Sequence, residues 1–479
     1  MQGRRSLVTE RPGQRAGSDG TNLRGIRQAP AGGRPAGMTT TLEPNHDHAG
    51  SLVQDVIRRN RNGEKLGVYA VCSAHPSVID AAIRQSMENG SVLLVESTSS
   101  QVNQFGGYTG QTPDQFAEFV HSAAQQAGLP RQCVLLGGDH LGPYPWRDQP
   151  SEIAMQKACD LIRDCVLAGY TKIHLDASMT CADDGGPGLA DDTIAQRAAI
   201  LCRVAERACQ RLPPGSPRPF YVVGTEVPTP GGETLLGEAP SVTKVGQLHH
   251  SLEVFRAAFH EQKLSEAWER VIGVVVQPGV EFSENVIFEY DHNKAQALSG
   301  ALPAHPARVY EAHSTDYQSP GALARMVEDH FAILKVGPWL TYAFREAVFA
   351  LGAIERELLG HRSGVRLSQV REALEAAMLR NPAHWRSYYR GNEYEVRLAR
   401  IYSYSDRCRY YWVDATVQEE LAQLRANLDV CVVPPTLLSQ YLPSQYETVR
   451  SGRLPARSED LIREHIRVVL RLYATACGA

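Results

Sequence analysis

The sequence predicts a (β/α)8 barrel followed by a helical C-terminal appendage, and three observations carry that prediction. Between residues 52 and 358, eight short β-rich runs alternate with stretches of 3.6-residue apolar spacing. Several runs are apolar at nearly every position, as in Val92-Leu93-Leu94-Val95 and Val274-Val275-Val276, which marks strands buried on both faces, as in a parallel sheet. No Gly-x-Gly-x-x-Gly turn follows the first strand, which disfavours an open doubly wound sheet. Eight parallel strands alternating with helices suit closure.

The expected strands, in order, are Gly67–Cys72, Ser91–Glu96, Cys133–Gly138, Thr171–Asp176, Phe220–Glu226, Val271–Gln277, Arg308–Ala312 and Phe331–Val336. Helical spacing falls between them near 76–88, 112–127, 151–168, 192–211, 243–262 and 320–329, and after them near 339–358. Near residue 360 the alternation stops. Residues 365–380, 415–428 and 458–476 have helical patterns joined by Pro-, Tyr- and Arg-rich connections. The barrel is therefore expected over 49–360 and the helical extension over 361–479, where Arg407 and Arg409 are expected to pack structurally.

Residues 1–48 are expected to be a disordered leader. Its first 37 residues hold seven arginines against Glu10 and Asp19, a net of +5, which leaves −9 for the rest of a chain whose total is −4. The leader has no apolar face and is broken by Gly and Pro, unlike a transit peptide. Met38 is an alternative start. No apolar run approaches the ~20 residues of a membrane span, and the charge balance gives no sign of nucleic-acid binding. The ten scattered cysteines form no CxxC pair and suit reduced thiols in the cytoplasm.

Polar residues cluster where the strands end, and in a barrel those ends share one face, the usual place for an active site. They are Ser73 and His75, Glu96 and Ser97, Asp139 and His140, His174 and Asp176, Glu226, Gln277 and Glu281, Glu311 and His313, and Lys335. Charges inside apolar strands are costly to bury unless paired or ligated. His140 and His313 are candidate ligands for a divalent metal, zinc or magnesium, with Asp139 as a proton carrier. Asp176 and Glu226 are candidate catalytic carboxylates or partners of Lys335 in internal salt bridges. His174 shares the face of Asp176 and is either a filled barrel layer or part of the site. Ser314, Thr315 and Gly337, around the last two strands, are candidate phosphate donors beside Lys335, since free backbone N–H groups and a helix dipole favour an anion there. The uncharged loop after strand two offers Gln101, Asn103 and Gln104 to a polyol. No P-loop is present, so the sequence does not support a kinase.

Several segments together resemble one family: Val-Cys-Ser-Ala-His-Pro (71–76), Gln-Val-Asn-Gln-Phe-Gly-Gly-Tyr-Thr-Gly (101–110), Gly-Gly-Asp-His-Leu-Gly-Pro (137–143), Lys-Ile-His-Leu-Asp-Ala-Ser-Met (172–179), Gly-Thr-Glu-Val-Pro (224–228), Val-Val-Gln-Pro-Gly-Val-Glu-Phe (275–282), Tyr-Glu-Ala-His-Ser-Thr-Asp-Tyr-Gln (310–318) and Ile-Leu-Lys-Val-Gly-Pro (333–338). Ser-Asp-Arg-Cys-Arg-Tyr-Tyr-Trp (405–412) and Ser-Gln-Tyr-Leu-Pro (439–443) extend the likeness into the appendage. The family is the accessory, non-catalytic subunit of class II D-tagatose-1,6-bisphosphate aldolase, at times labelled a tagatose 6-phosphate kinase. The resemblance covers residue 52 to the end.

It implies a barrel that binds a ketohexose phosphate and forms an oligomer with a zinc-dependent aldolase subunit, in tagatose, galactitol or amino-sugar catabolism. Relatives assigned as epimerases imply an alternative, a stand-alone, metal-assisted ketose-6-phosphate 4-epimerase linking fructose 6-phosphate and tagatose 6-phosphate by retro-aldol chemistry. The likeness to catalytic class II aldolases assigns Asp139-His140, His313 and Lys335 to matching positions. Gln277 stands where those enzymes have a further zinc-ligand histidine, and Gln is a poor ligand for such a metal.

Overall fold

The computed structural model describes residues 49–479 except 187, 228–239 and 306; the leader expected over 1–48 lies outside the described residues. The strands are β1 (Val68–Val71), β2 (Leu93–Thr98), β3 (Val134–Leu141), β4 (Lys172–Leu175), β5 (Phe220–Val223), β6 (Val271–Val275), β7 (Glu281–Phe282), β8 (Ile287–Phe288), β9 (Val309–Ala312) and β10 (Ile333–Val336). Strands β7 and β8 form a small antiparallel hairpin. The other eight form a closed, wholly parallel barrel, with β10 pairing back onto β1. All eight expected strands are present, and the fold is a TIM barrel with a helical C-terminal region.

Strand alternation divides each strand between two environments. Tyr69, Val71, Leu93, Val95, Leu334 and Val336 pack in the large cluster shared with the surrounding helices. Val68, Ala70, Leu94, Leu135, Phe220, Val309 and Ile333 form a second cluster with Ala49, Val53 and Ile57 of the helix Ala49–Arg61, which thereby plugs one end of the barrel. Farther along the same alternate positions come Glu96, Lys172, Glu311 and Lys335, all buried. The barrel thus has an apolar floor under a layer of charges.

Gly137 makes room for that layer. It pairs with both Glu96 and Lys172 across the sheet, and a Cβ there would lie 2.9 Å from Glu96 Cγ. Gly137→Ala is expected to lower stability by roughly 1–3 kcal/mol, the usual cost of overpacking, measurable as a lower denaturation midpoint; an unchanged midpoint would contradict this packing.

Several elements escaped the sequence pattern: the plug helix, the helices His292–Ala301, Glu393–Tyr402, Pro435–Tyr441 and Pro443–Arg450, and the two-residue strands β7 and β8. All of these except the plug helix are no longer than ten residues, too short for a sustained apolar period. The expected final helix is present as Ser458–Ala476, and it packs against barrel helices Pro76–Asn89 and Pro338–Leu359. Two contacts tie it in: Gly67 N–H donates to Cys477 O at 3.1 Å, and Tyr473 hydroxyl donates to Thr315 O at 2.7 Å. The segment around Asp406 is tied to the barrel by buried bonds as well: Arg345 of Pro338–Leu359 donates from Nε to Asp406 at 3.0 Å, and Thr341 donates to the same carboxylate at 2.7 Å.

Candidate functional site

The Asp139-His140 pair lies near the end of β3, at an irregularity in its register with β4 between Gly138 and Leu141. His140 takes a left-handed backbone, φ 48°, which is uncommon for a residue with a Cβ. A regular strand would point the two side chains to opposite faces; this bulge turns both toward the barrel mouth. His140 N lies 3.2 Å from His174 Nδ1, so β4 borders the turn.

Three imidazoles meet there. The ring centroids of His140, His174 and His313 lie 4.8 to 5.1 Å apart. His140 Nδ1 is 2.7 Å from Asp176, which leaves Nε2 facing His313 Nδ1 at 3.2 Å. His313 Nε2 is in turn 3.1 Å from Glu311. Each facing nitrogen is thus backed, on the far side of its ring, by a carboxylate, the arrangement that orients metal-binding histidines. His174 Nε2 is buried with no hydrogen-bond partner. One donor atom from each of Asp139, His140, His174 and His313 falls within 4.8 Å of the others, a group that could hold a metal ion.

Burial holds His313 neutral, at about 3, the form in which imidazole ligates. Burial also opposes charge on His140, but Asp139 and Asp176 outweigh it and raise that ring above its ordinary value. Asp139 is held well below the carboxylate range: burial pushes it up, and His140, Lys335 and His174 prevail. Its Oδ1 lies 2.8 Å from Lys335 Nζ and 3.2 Å from His174 Nδ1.

Beneath the imidazoles, Lys172 Nζ sits 2.6 Å from Glu96 and 2.7 Å from Glu311, while Lys335 contacts Glu96, Asp139 and Glu311. The Lys172–Glu311 Oε2 contact is a Coulombic pair without hydrogen-bond geometry. Against burial, the two lysines keep Glu311 ionised, and the acids keep Lys335 charged.

These groups open into a cavity of about 250 Å³ lined by Asp139, His140, His313, Ser314, Lys335 and Gly337, by Gln101 and Tyr108 of the loop after β2, and by Arg409, Tyr410 and Trp412 of the C-terminal region. Several expected residues lie elsewhere or are already engaged. Asp176 is behind His140 and positions it instead of facing the cavity. Glu226 and Gln277 come after their strands have ended, because β5 and β6 stop at Val223 and Val275. Glu226 accepts from Thr243, and Gln277 Oε1 accepts from the N–H groups of Gly279 and Val280 at 2.7 and 3.1 Å. Asn103 caps its own loop, accepting from Phe105 and Gly107 N–H, and Gln104 donates to Lys157 O. Thr315 donates inward to Lys335 O at 2.6 Å.

At Gly337, expected as an anion site, the backbone N–H is already engaged. Asp316 accepts from Gly337 and Trp339 N–H at 3.0 and 2.8 Å, so a carboxylate already occupies this helix start. Burial raises Asp316 to about 6, although those two N–H groups pull the other way.

The sequence reading left His174 undecided and kept Lys172 out of the site. The signal was present: Lys172, His174 and Asp176 alternate along β4 and its end, so one face carries three polar groups. Arg409 and Tyr410 gave no such signal, since only the tertiary fold brings them over the mouth.

A family model described as D-tagatose-1,6-bisphosphate aldolase subunit GatZ/KbaZ-like matches residues 53–478. The crystal structure of a probable tagatose 6 phosphate kinase from Sinorhizobium meliloti 1021 is 42% identical, with TM-score 0.78 over 86% of this chain and 100% of that chain. More remote are the YdjI aldolase from Escherichia coli K12, at 10% identity and TM-score 0.39 over 77% of this chain and 98% of that chain, and the fructuronate-tagaturonate epimerase UxaE from Cohnella laeviribosi, at 14% and 0.39 over 85% and 82%. Likeness that distant says nothing about chemistry. The family match and the 42% identical relative settle the membership: this chain belongs to the GatZ/KbaZ-like family of D-tagatose-1,6-bisphosphate aldolase subunits.

Proposed function

We propose that this subunit carries a metal-assisted ketose-phosphate site of its own at the barrel mouth and works beside a catalytic subunit of a class II D-tagatose-1,6-bisphosphate aldolase. One observation carries the reading: His140 Nε2 and His313 Nδ1 face each other at 3.2 Å, with Asp176 and Glu311 fixing the opposite ring nitrogens. A subunit used only for support has no need of such an arrangement.

The donor set fits a divalent ion such as zinc. Neutral His313 and the buried, partnerless His174 Nε2 are the strongest signs. Gln277 is no longer an obstacle in this reading, because β4 supplies the third imidazole. When bound, a divalent ion would polarise the carbonyl of a ketose. The chain's own groups do the rest. Asp139, kept ionised, accepts a proton from a substrate hydroxyl. Lys335, bonded to Asp139, holds that carboxylate in place and balances its charge. Gln101 and Ser314 also line the cavity; Gln101 is engaged by Thr98 N–H and Cys72 O, while the Ser314 hydroxyl donates to Glu281 and keeps its lone pairs for a sugar hydroxyl.

The same groups favour a second reading, a stand-alone ketose-6-phosphate 4-epimerase, since Asp139 beside three imidazoles is complete without a partner chain. The test is to incubate the purified protein with fructose 6-phosphate, with and without Zn²⁺ or Mg²⁺, and look for tagatose 6-phosphate. Metal-dependent product, lost in His140→Ala and His313→Ala, is the expected result for the epimerase. No product alone, but a gain in aldolase activity on mixing with a catalytic subunit, supports the accessory role. If sugar phosphate neither binds nor reacts under either condition, the proposed site is wrong. A cytoplasmic location fits ten cysteines that are all free; no helix among the described residues is long and apolar enough to cross a membrane.

A further inference from the structure

We infer that the phosphate of the substrate is held by the C-terminal region, through Arg409 and the Tyr410 hydroxyl, and not by the barrel. This rests on the ketose-phosphate reading above and deepens it. The floor of the cavity is unsuited to an anion. Asp139 lines it, and Glu96 and Glu311 lie just beneath, where both lysines, Lys172 and Lys335, are already paired with these acids. Asp316 adds another carboxylate to the lining and covers the helix start at Gly337, where a barrel commonly binds phosphate. A dianion at either place would face buried negative charge.

The part of the lining contributed by the C-terminal region has the other sign. Arg409 lines the cavity, and among the described residues no carboxylate pairs with it. The nearest acid in sequence with its side chain inside the fold, Asp406, is engaged by Arg345 and Thr341. Arg409 Nη1 donates to the carbonyls of Ser405 and Asp406, and Nη2 donates to the Tyr410 hydroxyl at 3.0 Å. Carbonyl partners steady the guanidinium without neutralising it; Asp406 and Asp316 act on its charge only at a distance, and neither is bonded to it. Arg407 adds a second cation behind it, 2% exposed, with Nε and Nη2 buried and partnerless. Tyr108 packs against Tyr410 at 4.6 Å between ring centroids, so the loop after β2 closes the same wall. A planar, permanently charged donor set on an otherwise aromatic wall is what a phosphate monoester needs. The cavity then has two ends: an acidic, imidazole-rich floor for a metal and the polyol, and a cationic wall for the phosphate.

The test uses the full chain and titrates fructose 6-phosphate, fructose and inorganic phosphate by calorimetry, with Mn²⁺ binding measured separately. Arg409→Met is expected to weaken fructose 6-phosphate and inorganic phosphate by about 10- to 100-fold, with Mn²⁺ affinity unchanged. Because Arg409 also bonds two backbone carbonyls, a second variant guards against misfolding. Val413, 54% exposed and on the cavity rim, tolerates a polar side chain, and Val413→Glu is expected to weaken the same two ligands through repulsion. The inference is overturned if both variants bind like the wild type, if Mn²⁺ affinity falls in step with phosphate, or if the wild type binds neither anion at roughly 10 mM. Loss of inorganic phosphate in the variants, with no preference of the wild type for fructose 6-phosphate over phosphate, would keep the anion subsite and remove the ketose reading.

Discussion

Lys172→Met is expected to destabilise the protein by about 3–5 kcal/mol, the cost of removing one partner from a buried ion pair. The ammonium lies in the barrel interior at 0% exposure, between Glu96 and Glu311. Removing it leaves two buried carboxylates to share Lys335 with Asp139. The methionine fills most of the volume, so the loss is electrostatic and not a cavity effect. Chemical denaturation should show a lower midpoint with the slope unchanged. Adding Glu311→Gln should restore part of the loss, because one orphaned charge is removed with it. A single variant as stable as the parent would mean that the charge layer is not what holds this part of the barrel.

That layer also shows how far the sequence could be read. The eight strands were legible because continuous apolar runs and 3.6-residue spacing are local patterns. The polar strand ends were legible for the same reason, and Asp139, His140, His313 and Lys335 do converge on one cavity. Two things were not. The first is where each strand leaves its ladder. Glu226 and Gln277 read as strand ends, but the chain departs from β5 and β6 before reaching them. The position of that departure depends on neighbouring strands; at Gly224, for instance, an added Cβ would lie 2.8 Å from Val275 O. The second is competition for donors. Gly337, Thr315 and Asn103 carry the right chemistry for a ligand, and each is already bonded within the protein. A one-dimensional pattern cannot reveal such prior engagement, since Asp316 and Gly337 are brought together by the joining of two βα-loops.

Asp139→Asn is expected to reduce turnover by roughly 10²- to 10⁴-fold, the usual worth of a positioned proton carrier, while metal stoichiometry is retained. The reasoning turns on how the four candidate groups divide their work. Three imidazoles can supply nitrogen to a divalent ion, and their second nitrogens are already fixed by Asp176, Glu311 and Asp139. Asp139 differs from them. Its Oδ1 is bonded to Lys335 and His174, while Oδ2 lies 3.8 Å from His140 Nε2, beside the opening. An ionised carboxylate so placed can take a proton from a hydroxyl that enters the cavity. Asparagine preserves the shape and removes that basicity. It also leaves Lys335 with one fewer counter-charge, so a modest fall in stability should accompany the loss of rate. Metal analysis of the purified variant separates the roles: retained metal with lost turnover identifies a proton carrier, whereas metal lost in step with activity makes Asp139 a ligand and returns the proton transfer to another group. Asp176→Asn provides the contrast. Acting only through His140, it should weaken metal binding by about 10- to 100-fold and lower activity only as far as the metal is lost, so that excess metal restores the rate; the same excess should do nothing for Asp139→Asn.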